Sequence, residues 1–206
     1  MTSESRFWSE LLSNLSNMSG WELAAVIFAL LYLVLAVRQV IWCWLAALIS
    51  TSIYLVLFFE GKLYAESGLQ VFYMVMAVYG WWQWRYGGAQ KSELKVSLWS
   101  GRSHLVWLTV IAASTLALGN YLANQTDASL PFEDAFTTSG AIVATFMTAR
   151  KVLENWYYWF VIDAVSIHLY LERGFVLTAA LFVLYLVLIV IGFLSWRNDY
   201  VAQAHE

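Results

Sequence analysis

The stretch RQVIWCW at Arg38–Trp44 returns 112 residues later as RKVLENW at Arg150–Trp156. Carried forward without a gap, the register from Arg38 to Arg85 matches Arg150 to Arg197 at 13 of 48 positions. The identities include Trp44/Trp156, Glu60/Glu172, Tyr73/Tyr185, Gly80/Gly192, Trp84/Trp196 and Arg85/Arg197. Apolar segments match one another readily at Leu and Val. Agreement at Trp, Arg and Gly along one offset marks an internal repeat, the kind that builds many membrane transporters.

The rest of the chain fits around that repeat. Apolar runs, divided by charged or Gly/Pro punctuation, define seven spans at 21–37, 40–59, 64–86, 103–123, 132–149, 152–171 and 175–197. Each is close to the ~20 residues needed to cross the hydrocarbon of a bilayer. Pro131 followed by Glu133 and Asp134 is a helix-start signal for the fifth span. The offset lays the second span on the sixth and the third on the seventh. A shift of four spans preserves direction, so the repeats run parallel and the fourth span is the connector. The expected fold is an all-α integral membrane protein with seven transmembrane helices in a 3+1+3 parallel repeat. Its parts are an N-terminal periplasmic or interfacial segment (1–20), one transmembrane transporter domain (21–197) and a cytoplasmic tail (198–206).

Composition agrees. The 206 residues are 61% hydrophobic and only 12% charged, about half the charge of a soluble domain, and the mean hydropathy is +0.64. A net charge of −3 argues against a nucleic-acid partner. The single cysteine, Cys43, excludes an internal disulfide and reads as a small buried apolar residue. Residues 1–20 lack the hydrophobic core of a cleavable signal. Phe7, Trp8, Leu11, Leu12, Leu15 and Met18 recur there at helical spacing, as in a helix lying on the membrane surface; a disordered tail is the other reading.

Seven spans put the termini on opposite sides. Arg38, Arg85, Lys91, Lys95, Arg102, Arg150, Lys151 and Arg197 fall on one side, and Arg6, Lys62 and Arg173 on the other. The richer side is assigned to the cytoplasm by the positive-inside rule, leaving the N-terminus periplasmic and the C-terminus cytoplasmic.

The repeat also shows where symmetry breaks. Asp163 is an acid in the middle of the sixth span, where a carboxylate costs roughly 2.5–3.5 kcal/mol and marks a functional site. On a helix Asn155, Trp159, Asp163 and Ser166 form one stripe. Their counterparts Cys43, Ala47 and Thr51 (for Asn155, Trp159 and Asp163) carry no such chemistry. A second polar-aromatic set lies on the third span: Gln70, Tyr73, Trp81 and Trp84. A carboxylate beside indole faces suits a flat organic cation, each face contributing about 0.5–2 kcal/mol when desolvated. Plainer readings stand beside this one. Trp81, Trp82, Trp84, Trp156 and Trp196 fall near the expected membrane boundary, where Trp is an anchor. Gln70 suits an interhelical hydrogen bond, Tyr73 suits packing, and His168 suits packing or a pore lining.

Enzyme chemistry has little to stand on. No second deep carboxylate accompanies Asp163, Ser166 and His168 diverge on a helix, and His104, His168 and His205 lack metal-ligand spacing. No cofactor or metal is expected. A receptor or structural membrane protein, its aromatics only anchoring and packing, is the other class.

The segments GKLYA (61–65), LQVF (69–72), YGWWQW (79–84) and RKVLENW (150–156) resemble the PnuC family of vitamin transporters. The likeness runs from about residue 21 to 197. It implies a SWEET-like bundle, homotrimeric assembly in the bacterial inner membrane, and uptake of nicotinamide riboside by facilitated diffusion, trapped by a cytoplasmic kinase. Relatives take up thiamine, the alternative substrate here, and others are linked to riboflavin or deoxynucleosides. Carried onto this chain, the resemblance implies binding by Gln70, Trp81, Asn155, Trp156, Trp159 and Asp163; Tyr73 joins them from the pattern of residues alone.

Overall fold

The computed structural model describes residues 19–62 and 64–203. Seven α-helices lie within them: α1 Gly20–Val37, α2 Cys43–Glu60, α3 Tyr64–Tyr86, α4 Gly101–Gln125, α5 Pro131–Ala149, α6 Asn155–Glu172 and α7 Val176–Gln203. Each expected span corresponds to one helix. The surface helix expected on Phe7–Met18 lies outside the described residues, as do the last three residues of the expected tail.

Local chemistry explains the helix ends. Ser19 Oγ accepts from Glu22 N–H at 3.1 Å and Ser19 N–H reaches Glu22 Oε2 at 3.4 Å, a reciprocal cap on α1. Ser100 caps α4 by accepting from Ser103 N–H at 3.2 Å, starting that helix at Gly101 rather than 103. Pro131 opens α5 with Glu133 and Asp134 in its first turn. Two helices start three residues later than expected, after turns in which Val40 and Val152 still bond back to the preceding helix. Gln39 and Lys151 adopt positive φ, 55° and 48°, which no continuing helix tolerates. The chain turns tightly there, with Val40 N–H on Leu35 O at 2.9 Å and Val152 N–H on Met147 O at 3.0 Å. The expected cytoplasmic tail is helical as far as it is described. α7 runs on to Gln203, where Asp199 accepts from Gln39 Nε2 at 2.5 Å and Tyr200 packs on the core.

The polar link between α3 and α4 is tied down. Ser97 N–H donates to Lys151 O at 3.0 Å and Leu153 N–H donates to Ser97 O at 2.8 Å, a one-residue bridge to the α5–α6 turn. Beside it Glu154 accepts from Trp99 N–H at 3.3 Å and meets His104 Nε2 at 3.4 Å, while His104 Nδ1 lies 3.0 Å from Tyr158 Oη.

Helices α1, α2 and α3 pack in succession, as do α5, α6 and α7; α4 lies on α5. Across the two groups α3 meets α5 and α1 meets α7. Among the described residues α1, α2, α4 and α7 are long and apolar enough to cross a membrane. α3, α5 and α6 carry more of the polar side chains, which they turn inward: Gln83, Ser139, Thr145, Thr148, Asn155, Asp163 and Ser166 are all buried. Large apolar residues such as Leu105, Val75 and Val78 face outward, the arrangement a bilayer solvent selects.

The centre of the core is aromatic and its contacts recur at the offset of 112 residues. Trp84 Nε1–H donates to Thr148 O at 3.1 Å, and Trp196 Nε1–H donates to Ala36 O at 3.0 Å. Trp44 meets Trp84 edge-on at 5.4 Å, as Trp156 meets Trp196 at 5.3 Å. Gly80 backs the ring of Trp44 and Gly192 backs the ring of Trp156. The matching tryptophans are therefore buried core residues, which corrects the reading of Trp84, Trp156 and Trp196 as boundary anchors: their exposures are 3%, 2% and 0%.

Candidate functional site

Where α1 and α7 meet α6, a cavity of about 210 Å³ opens. That exceeds the ~150 Å³ that accepts one benzene ring, leaving room for an aromatic ring and a substituent. Helix α6 supplies Asn155, Trp156, Trp159 and Asp163, all on its inward face. α1 supplies Ala29, Tyr32, Leu33 and Ala36, α7 supplies Phe182, Tyr185 and Ile189, and the last turn of α5 supplies Thr148.

Asp163 is 4% exposed, borders the cavity, and has no hydrogen-bond or ion-pair partner among the described residues. No lining residue is basic. A buried acid without a protein partner marks a candidate functional site. Around it stand the phenols of Tyr32 and Tyr185 and the indole of Trp159. An apolar-aromatic cavity with one convergent polar group is the usual make-up of a small-molecule site.

Thr148 organises the opposite end. Its Oγ1 accepts from Trp159 Nε1–H at 3.2 Å and lies 3.1 Å from Asn155 Oδ1 and 2.9 Å from Ala144 O, either of which takes its one proton. Asn155 Nδ2 in turn donates to Val152 O at 2.6 Å. Asn155 is fully buried, and Val152 O and the Thr148 hydroxyl take at most half of its amide hydrogen-bonding capacity. The indole of Trp159 is held in one orientation by its own N–H. Trp156 forms the floor; its Nε1–H is buried with no partner among the described residues.

The structure brings together Asn155, Trp156, Trp159 and Asp163 and leaves three expected residues outside the lining. Gln70 and Tyr73 sit half-buried on α3, Tyr73 against Phe72 at 5.5 Å. They stand 112 residues before Phe182 and Tyr185, which do line the cavity. Trp81 meets Trp42 edge-on at 5.1 Å beside the α1–α2 turn. Ser166 is buried but lies off the cavity. His168 neither packs nor lines the cavity: it is exposed, with Nδ1 3.0 Å from Glu133 Oε2, near the Arg173–Asp134 pair at 2.9 Å. The missed residues are Thr148 and those of α1 and α7. Tyr185 was signalled by its repeat partner Tyr73; the apolar residues of α1 carried no signal.

A family model described as nicotinamide mononucleotide transporter matches residues 19–198. The chain belongs to this family. Among characterised proteins it is 29% identical to the riboflavin/roseoflavin transporter RibM of Streptomyces davaonensis, covering 92% of this chain and 84% of that protein. It is 25% identical to the nicotinamide riboside transporter PnuC of Escherichia coli, covering 89% and 87%. A crystal structure of the vitamin B3 transporter PnuC superimposes with a TM-score of 0.69 over 98% of this chain and 94% of that one, at 23% identity, so the fold is shared. The chain is accordingly an all-helical, multi-pass membrane protein of a vitamin-transporter family.

Proposed function

We propose that this protein is a uniporter for nicotinamide riboside, admitting it to the cell by facilitated diffusion and binding it in the α1–α6–α7 cavity. The observation that carries the reading is Asp163, a buried carboxylate without a protein partner in an aromatic cavity. Nicotinamide riboside brings what is missing, a flat ring with a permanent positive charge. An inside-negative potential assists entry of a monocation by about 2.3 kcal/mol per 100 mV, so accumulation needs no coupling ion. Thiamine also carries a cationic aromatic ring and is the second ligand of the right charge. The identity to RibM favours testing riboflavin as well. Riboflavin is uncharged and larger, and would leave Asp163 unpaired.

The proposal includes the architecture. Two parallel three-helix units, α1–α3 and α5–α7, joined by α4 in a SWEET-like arrangement, are supported by the crossed tryptophan bonds and paired glycines at one offset. It also includes orientation, with Arg38, Arg85, Arg150, Lys151 and Arg197 at the cytoplasmic end. Trimeric assembly and a trapping cytoplasmic kinase enter from the family resemblance alone.

The test is binding and uptake with a panel of nicotinamide riboside, thiamine, riboflavin and an uncharged nucleoside. Tryptophan fluorescence of the purified protein should be quenched by nicotinamide riboside, and the two uncharged compounds should compete weakly. Strongest binding by riboflavin would overturn the substrate assignment; no quenching by any of the four would overturn the transporter site. Trp159→Ala is expected to weaken nicotinamide riboside binding by at least about 1 kcal/mol. Equal titration midpoints for variant and parent would remove Trp159 from the site.

A further inference from the structure

We propose that Trp44, Trp84, Trp196 and Trp156 form the inner gate of the transport path, latched by two crossed hydrogen bonds, with Thr148 tying one latch to the cavity. The inference rests on the transporter reading.

The four rings form a continuous plug. Successive centroids are 5.4, 5.9 and 5.3 Å apart, at interplanar angles of 86°, 66° and 87°. None is more than 3% exposed. The plug lies between the cavity, whose floor is Trp156, and the basic end of the bundle, where Lys151 Nζ caps the Trp84 ring at 4.7 Å. Burial lowers the Lys151 ammonium from its ordinary value, so that side chain belongs to the closure rather than to open solvent. Any solute leaving the cavity toward the basic end must displace these rings.

The contacts divide into two kinds. Trp44 with Trp84 joins α2 to α3, and Trp156 with Trp196 joins α6 to α7, each pair within one group of three helices. Trp84 with Trp196, Trp84 Nε1–H on Thr148 O, and Trp196 Nε1–H on Ala36 O all cross between the groups. If one group rocks against the other, the inner pairs survive and the crossing contacts break. The acceptors sit in the last turns of α1 and α5, where each also accepts a backbone N–H from the following turn (Gln39 on Ala36 O and Lys151 on Thr148 O, both at 3.0 Å), so losing the indole leaves neither carbonyl without a partner. The closed state also strands two donors, because Trp44 Nε1–H and Trp156 Nε1–H are buried without partners among the described residues. Closure therefore gains two hydrogen bonds and leaves two donors unsatisfied, a balance that suits an element needing two states of similar free energy.

Thr148 links this latch to the ligand. Its carbonyl holds Trp84, and its hydroxyl holds Trp159 and contacts Asn155 on the cavity wall. At the other latch the equivalent residue is Ala36, which has no hydroxyl. Ala36 also lines the cavity, but only at Thr148 does a side-chain hydrogen bond join the latch to the cavity wall.

The protein carries its own reporter. Cys43, its one cysteine, is 0% exposed and packs in the same cluster. The experiment is the rate of maleimide labelling of Cys43 in the full-length, substrate-free protein, compared with Trp84→Phe and Trp196→Phe, which keep a ring and remove the latch N–H. Each variant should label about fivefold faster, the population shift expected from one lost hydrogen bond. Labelling equal to wild type in both, with size-exclusion profiles unchanged, overturns the gate. If neither variant purifies as a folded species, wild-type labelling with saturating nicotinamide riboside decides. Acceleration supports the gate, and no change despite fluorescence quenching overturns it. Thr148→Val should lose that acceleration and Thr148→Ser should retain it; acceleration intact in Thr148→Val removes the link to the cavity. Faster labelling in the phenylalanine variants without quenching by any vitamin supports the gate and overturns the substrate reading.

Discussion

Asp163→Asn is expected to lower affinity for nicotinamide riboside by about 2–5 kcal/mol while raising the melting temperature of the empty protein. The substitution keeps the shape of the side chain and removes its charge. In the empty cavity the carboxyl group faces apolar and aromatic groups with no hydrogen-bond or ion-pair partner among the described residues. An acid at the centre of a membrane helix costs roughly 2.5–3.5 kcal/mol, and the amide, which cannot ionise, avoids part of this. With a cation bound the balance reverses, because removing one member of a desolvated charge pair costs about 2–5 kcal/mol. Stability and affinity should therefore move in opposite directions, as they do where a site is strained for function. Calorimetric titration and a thermal melt of the same preparation measure both. Unchanged affinity would remove Asp163 from the site, and a lower melting temperature would show that the carboxylate has a structural partner.

Gly192→Ala and Gly80→Ala should each destabilise the fold by about 1–3 kcal/mol or more, the range for overpacking a close-packed core. A Cβ at Gly192 would lie 2.5–2.7 Å from ring carbons of Trp156, and one at Gly80 would lie 2.4–2.6 Å from ring carbons of Trp44. Neither indole can retreat, since Trp156 abuts Trp196 and Trp44 abuts Trp84, all of them buried. Gly68→Ala is the control: nothing lies within 4 Å of its added Cβ, and alanine favours the helix there. Melting curves in detergent should fall for the first two and hold or rise for the third. Wild-type stability in Gly192→Ala would mean that the tryptophan cluster is loosely packed, which would also weaken the case for a sealed gate.

Both predictions begin from features legible in the sequence, and each needed the tertiary structure to acquire a mechanism. Gly80/Gly192 and Trp84/Trp196 were visible as repeat pairs. Trp84 and Trp196 read as boundary anchors because position along a helix says only how deep a residue lies. Whether its ring points to lipid or to another helix depends on the helix's rotation, and in this bundle Trp196 points to the backbone of α1, 160 residues away. Position 163 was conspicuous for the opposite reason: an acid in apolar surroundings needs no structure to be noticed.

The sequence by itself determined the number and approximate placement of the seven helices among the described residues, the internal offset, and the stripe on α6 that borders the cavity. These depend on local hydropathy and helical period, properties each segment carries before it packs. Only the tertiary structure decided what faces that stripe. Gln70, Tyr73 and Trp81 stand outside the cavity lining, whereas Ala29, Leu33 and Ala36 had no distinguishing chemistry and became cavity wall because α1 packs against α7. Thr148 belongs to the same class of surprise. A threonine near a helix end is unremarked in a sequence, because its hydroxyl and its carbonyl acquire their two roles only when Trp159 and Trp84 arrive from other helices.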